Sequence, residues 1–179
     1  PPGAALSGER EHGTLEHLLV MPVTPTEIML SKIWSMGLVV LLATGMSLVF
    51  VVHRALNVPT QGSSLLFLAG AALHLFATTS MGIFLATLAR SMPQFGMLLI
   101  LVLLPMQMLS GGSTPRESMP LAVQYIMNFA PTTHFVQIGQ AILYRGAGME
   151  VVWKYFIGLF GLGRALFLLS RPPFRPSVN

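Results

Sequence analysis

The sequence contains no cysteine and no aspartate; its six acidic residues are all glutamates. Without cysteine there is no disulfide framework, no thiolate chemistry and no Cys-based metal site. Charge of either sign is scarce, at 9% of residues, where a soluble domain carries roughly 25%. That inventory cannot cover a water-facing surface. The ten basic residues give a net charge of +4 but sit singly at the ends of apolar runs. A nucleic-acid surface needs Lys and Arg clustered on one face, so that class is excluded. What remains is a chain 53% apolar with a mean hydropathy of +0.70, the composition of an integral membrane protein. It opens Pro1-Pro2-Gly3 without Met, and no basic stretch followed by an apolar one marks a signal peptide; we read it as part of a longer polypeptide or as a mis-bounded gene product.

Long uncharged runs predict four membrane-spanning helices, at about residues 33–52, 65–89, 94–109 and 151–169. Each approaches the roughly 20 residues that a bilayer core requires. Pro105 is expected to kink the third by removing a backbone hydrogen bond. Arg164 interrupts the fourth, at a cost of about 2.5–3.5 kcal/mol for a mid-span arginine; its position near Leu169 allows it to snorkel to the headgroups. The predicted fold class is all-α transmembrane. Its parts are a segment 1–31, a membrane domain 32–171 and a tail 172–179. With the amino-terminal segment inside, Arg10, Lys32, Arg90, Arg171 and Arg175 face the cytoplasm, the sign that the positive-inside rule favours.

Two non-spanning stretches are informative. Residues 110–148 are too apolar for a free loop, with Met119, Leu121, Val123, Tyr125, Ile126, Met127 and Phe129 close together. Pro131 then breaks the chain, Thr132 or Thr133 is placed to cap a second short helix ending near Tyr144, and Gly146 and Gly148 stop it. Neither helix is long enough to span. Two readings stay open: a re-entrant hairpin dipping into the outer face, which must pack on protein or line a cavity, or two helices flat on the surface. Residues 9–21 read as an in-plane amphipathic helix with Leu15, Leu18 and Leu19 on one face. Pro22 ends it, and Thr24-Pro25-Thr26-Glu27 forms a capping box that starts the next helix. Such a helix either receives force from a soluble partner or merely anchors the chain to headgroups.

Catalytic readings fail on spacing. His12 and His17, on one helix, point about 140° apart and cannot share a metal. The Gly-rich Ser110-Gly111-Gly112-Ser113 has no following lysine and no preceding strand, so it is no phosphate loop. His74 is read as a neutral, hydrogen-bonded packing residue and Gln107 as interhelical glue. No catalytic residue, metal or bound cofactor is expected.

Glu9-Arg10-Glu11-His12-Gly13-Thr14, with Glu16-His17-Leu18-Leu19-Val20-Met21-Pro22 after it, resembles the cytoplasmic coupling segment of ABC-2 type transport permeases. Pro105 through Pro120, with its Leu109-Ser110-Gly111-Gly112-Ser113-Thr114-Pro115-Arg116 core, resembles an outer-face motif of that family. So do Pro131-Thr132-Thr133-His134-Phe135 and Ala141-Ile142-Leu143-Tyr144-Arg145-Gly146-Ala147-Gly148. The resemblance is strongest to the multidrug-export branch, including permease halves associated with ribosome-associated-type ATPases, and covers about residues 9–163.

It implies the C-terminal part of a permease subunit that forms the substrate pathway of an exporter. The partners implied are an ABC ATPase subunit or fused domain that uses ATP and Mg, a second permease copy and the lipid bilayer. The location implied is the bacterial inner membrane, with both termini cytoplasmic. Glu9, Arg10, Glu11, Gly13, Thr14 and Glu16 would contact the ATPase. Pro105, Ser110, Gly111, Pro115, Pro131, His134, Arg145 and Gly146 would form an outer-face hairpin or gate. The competing expectation is a truncated permease acting as a non-transporting scaffold or regulatory subunit.

Overall fold

The computed structural model describes residues 25–170, with side chains from Ser31 onward. The chain divides into two units, residues 1–36 and 37–179. The first unit's described part is the opening of helix α1 (Pro25–Met46), which starts on a proline, where a missing N–H goes unnoticed. Glu9, Arg10, Glu11, Gly13, Thr14 and Glu16, the expected in-plane helix and Thr24 lie outside the described residues.

In the second unit α1 gives way to a nine-residue π-helical segment, Ser47–Ala55. Asn57, with φ +50°, then turns the chain. Helix α2 (Ser64–Leu88) starts where the Ser63 hydroxyl accepts from the Leu66 N–H, and ends at Ala89. A tight turn leads into α3 (Met92–Leu109), capped by Ser91 and opened by Pro93. There the Gln94 side chain accepts from the Arg90 N–H at 2.9 Å, so cap and side chain satisfy amides on both sides of the turn. A 3₁₀ turn (Arg116–Ser118) and two short helices follow, α4 (Leu121–Met127) and α5 (Pro131–Gly139); a π-helical turn, Gln140–Tyr144, extends α5. Helix α6 (Met149–Leu169) closes the described chain, with the Ser170 hydroxyl donating to the Phe167 carbonyl at 2.7 Å.

The fold is therefore all-α among the described residues, and four helices are long and apolar enough to cross a membrane: Ser31–Ala55, Ser64–Leu88, Met92–Leu109 and Met149–Leu169. The shortest, of 18 residues, reaches about 27 Å. Each starts within about two residues of its expected place. Pro105 sits inside α3 on an exposed face, and the helix continues past it to Leu109.

The core lies between α2, α5 and α6. Ala77, Ile138, Ala141, Ile142, Val152 and Leu159 form one buried cluster; Met81, Leu85, Met106, Met127 and Ala130 form a second that brings in α3 and α4. Lipid tails are as apolar as leucine, so close packing rather than burial of apolar surface holds such helices together. Gly163 shows it: a Cβ there would lie 2.8 Å from the Phe76 ring and 3.1 Å from the Ala77 Cα. Only a bare backbone lets α6 approach α2 so closely. The outward faces are apolar and exposed, as at Leu38, Leu42, Met97 and Leu101. Arg164 is exposed too, one helical turn or so from Leu169, the position from which a long side chain snorkels.

Candidate hairpin site

The segment between α3 and α6 is a pair of helical arms whose ends differ in depth. Its starting point is the α3 terminus. Ser110 is buried, its hydroxyl donating to the Gln107 carbonyl at 2.9 Å, and Gly111 follows with φ +95°, a conformation that a side chain would strain. Pro115 opens the 3₁₀ turn, its carbonyl accepting from the Ser118 N–H and hydroxyl at 3.1 and 2.7 Å. Arg116 then ties this turn to the first arm, donating to the Asn128 Oδ1 at 2.7 Å and the Gln124 carbonyl at 3.3 Å.

The second arm starts deep. Pro131 is buried at its first position, preceded by Ala130. The expected threonine cap is not made: no side chain caps α5, because Thr132 and Thr133 already lie in its first turn. The Thr133 hydroxyl is instead buried without a hydrogen-bond partner. His134 holds the junction of the arms, its Nε2 2.8 Å from the Asn128 carbonyl, and its ring lies against Gly158, where a Cβ would come within 2.9 Å. Phe135 stacks on His74 at 4.5 Å between centroids and 11° between planes.

His74 and Gly158 each lie some ten residues inside α2 and α6, about 15 Å along the axis. The start of α5 therefore sits against the middle of two spans. From there α5 runs back to the loop end, where Gly139 faces Phe67 and the Gln61 N–H donates to the Leu143 carbonyl at 3.3 Å. Gly146, with φ +64°, lets the chain turn against the Gln61 backbone before α6 begins.

The expected hairpin residues thus divide. Gly111, Pro115 and Arg145 line one polar cavity at the loop end, in company with Arg116, Gln137 and Gln140. Pro131 and His134 lie deep at the junction of the arms, Ser110 caps α3, Gly146 makes the turn, and Pro105 stands apart from all of them on α3. Gln107 is exposed on α3. His74 stacks on Phe135 and makes a hydrogen bond to the Pro131 backbone, while its Nδ1 is buried without a partner. Sequence reasoning passed over Gln137 and Gln140, although two amides three residues apart on one apolar helix share a face and could have been picked out for that.

The family model described as ABC-2 type transporter matches residues 2–144. The chain is 64% identical over 177 residues to the inner membrane transport permease YhhJ of Escherichia coli strain K12, a match covering 99% of this chain and 47% of that protein. It is 32% identical over 144 residues to the same organism's probable multidrug ABC transporter permease YbhS, covering 77% of this chain and 37% of the relative. To the probable multidrug ABC transporter permease YbhR it is 28% identical over 156 residues, 84% of this chain and 40% of the relative. The chain spans half or less of the length of these relatives. No solved structure matches it.

Proposed function

Since the chain belongs to the ABC-2 type transporter family, we propose that it is the membrane-spanning permease part of an ATP-driven exporter, residing in a bacterial inner membrane with both termini cytoplasmic. The observation that carries the reading furthest is the depth of the hairpin. A surface loop has no reason to bring Pro131, His134 and Phe135 against the middle of α2 and α6. Backbone that breaks helix at such depth survives where it packs on protein or lines a cavity. We therefore read residues 110–148 as a re-entrant hairpin that closes the pathway from outside. ATP hydrolysis belongs to a partner ATPase, separate or fused, and two permease copies together enclose the route. Closure of the ATPases would push on residues 9–21 and shift the pathway between inward and outward access. Glu9, Glu11 and Glu16 present acids to that partner, with Arg10, Gly13 and Thr14 between them.

The test uses a full-length relative such as YhhJ carrying the equivalent changes. Glu16→Arg replaces attraction with repulsion at a docking surface, where a like-charge contact costs several kcal/mol. It should leave membrane insertion intact while uncoupling ATP hydrolysis from efflux. Leu18→Ala should instead lower both protein level and efflux. Full efflux from well-inserted Glu16→Arg protein would return residues 9–21 to a headgroup anchor. Orientation is checked separately: cysteines at Ser7 and Ser91 should label only from the cytoplasm and one at Gln61 only from outside.

A further inference from the structure

The loop end holds a polar hollow that transport of an apolar solute does not require. Its volume is about 310 Å³, near the lower bound for ligand pockets and suited to a headgroup or small solute rather than a drug-sized molecule. In a chain with only 9% charged residues, two arginines, Arg116 and Arg145, line this one hollow. Gln137 and Gln140 line it too, the Gln140 amide donating to the Gly111 carbonyl at 3.3 Å.

These donors are largely uncommitted. Arg116 uses one terminal nitrogen on Asn128 and Gln124, leaving the rest of its five N–H donors. Arg145 is exposed and makes no hydrogen bond or ion pair with the described residues. The loop wall adds backbone donors. Ser110 is helical at φ −68° and ψ −14°, and Gly111 follows at φ +95°, the kind of turn in which successive N–H groups can meet an anion. The N–H groups of Gly111, Gly112 and Ser113 make no backbone hydrogen bond among the described residues, and all three residues line the hollow. Glu117 is the one acid among the lining residues, so the balance of charge there is positive.

We propose that this hollow is a binding site for a phosphate ester, borne either by a phospholipid headgroup or by a free solute, with Arg145 its principal cation and Arg116 and the loop amides in support. Guanidinium and phosphate match in shape as well as charge, two N–H groups meeting two oxygens. The site goes beyond the transport reading and needs neither an ATPase nor a pathway, so binding and export fail independently.

The experiment takes the whole chain, purified in neutral detergent and in phosphatidylcholine nanodiscs. Thermal stabilisation by glycerol 3-phosphate is measured in detergent, and retention of phosphatidylglycerol is counted by native mass spectrometry from nanodiscs doped with it. Saturable binding of one probe or the other is expected; the lipid alone assigns the headgroup, and the soluble ester alone or both assigns a site open to solutes. Arg145→Gln should weaken binding by about tenfold or more, the worth of one charge-assisted pair, without changing the melting temperature of the unliganded protein. Arg54→Gln, a cation at the same end that lies over Phe50 outside the hollow, should bind like wild type. Absence of binding by both probes would overturn the site, as would equal binding by wild type and Arg145→Gln. Equal losses in the Arg145 and Arg54 variants would overturn it too, reducing the effect to general surface charge.

Discussion

The two arms of the hairpin have opposite surroundings, and the more apolar arm is the more exposed. In α4, Leu121, Tyr125 and Ile126 are about 70% exposed, as is Phe129 just beyond it. In α5, Pro131, Thr133 and Ile138 are buried to 2% or less. The first arm touches the core through Val123 and Met127 and is otherwise held by side-chain ties: Arg116 to Gln124 and Asn128, and the Gln124 amide to the Met119 carbonyl at 2.9 Å. The second is held along its length by α2 and α6. The difference teaches that hydrophobicity does not report burial in a protein of this class. An apolar face turned to lipid costs nothing that an apolar face turned to protein saves; what separates the arms is packing, and packing is where substitutions should be felt.

The sharpest way to break the comparison is a matched pair. Ile138→Ala should cost about 2–5 kcal/mol, the usual range for a fully packed isoleucine, whereas Ile126→Ala should stay within about 0.5 kcal/mol. Unfolding in mixed micelles measures both, and equal costs would erase the distinction. Next in size is Gly158→Leu, which drives a side chain into the His134 ring and should cost about 1–3 kcal/mol by overpacking. Restoration of its midpoint by a second change, His134→Ala, would locate the clash. Arg116→Ala should cost about 1 kcal/mol, its contacts being partly exposed, and hydrogen exchange should quicken across Leu121–Met127 but not across Pro131–Gly139. The smallest perturbation is chemical labelling: Tyr125→Cys should react with a membrane-partitioning maleimide and not with a charged one, and Thr133→Cys with neither. Reaction of both with the charged reagent would place the whole segment in water.

The comparison also marks how far sequence reasoning reaches. The four long helices were legible because a run of uncharged residues is a local property, and Ser63, Ser91 and Gly148 stand where the helices start. That two short helices lie between Ser110 and Gly148 was legible for the same reason, from Pro131 and the glycines. The depth of Pro131 was not. It depends on Phe135 finding His74 and His134 finding Gly158, contacts between distant segments that no periodicity encodes. The polar cavity was half legible: Gly111, Pro115 and Arg145 stand in recognisable motifs, while Gln137 and Gln140 acquire meaning only once α5 is laid beside the loop after α3. The missing cap on α5 was misread because Thr132 and Thr133 follow the proline that opens the helix rather than preceding it.

One feature of the backbone bears on how this chain tolerates change in length. A π-helical turn holds one more residue than an α-helical one, so Ser47–Ala55 and Gln140–Tyr144 amount to spare residues stored in otherwise regular helices. Deleting a residue within Ser64–Leu88 would swing everything beyond it by about 100° and pull Gly70 and Ala77 off their partners. A deletion within 47–55 has somewhere to go, since the π turn relaxes to an α turn and the register on either side is kept. Natural variants that shorten this chain by a single codon should therefore collect in those two segments.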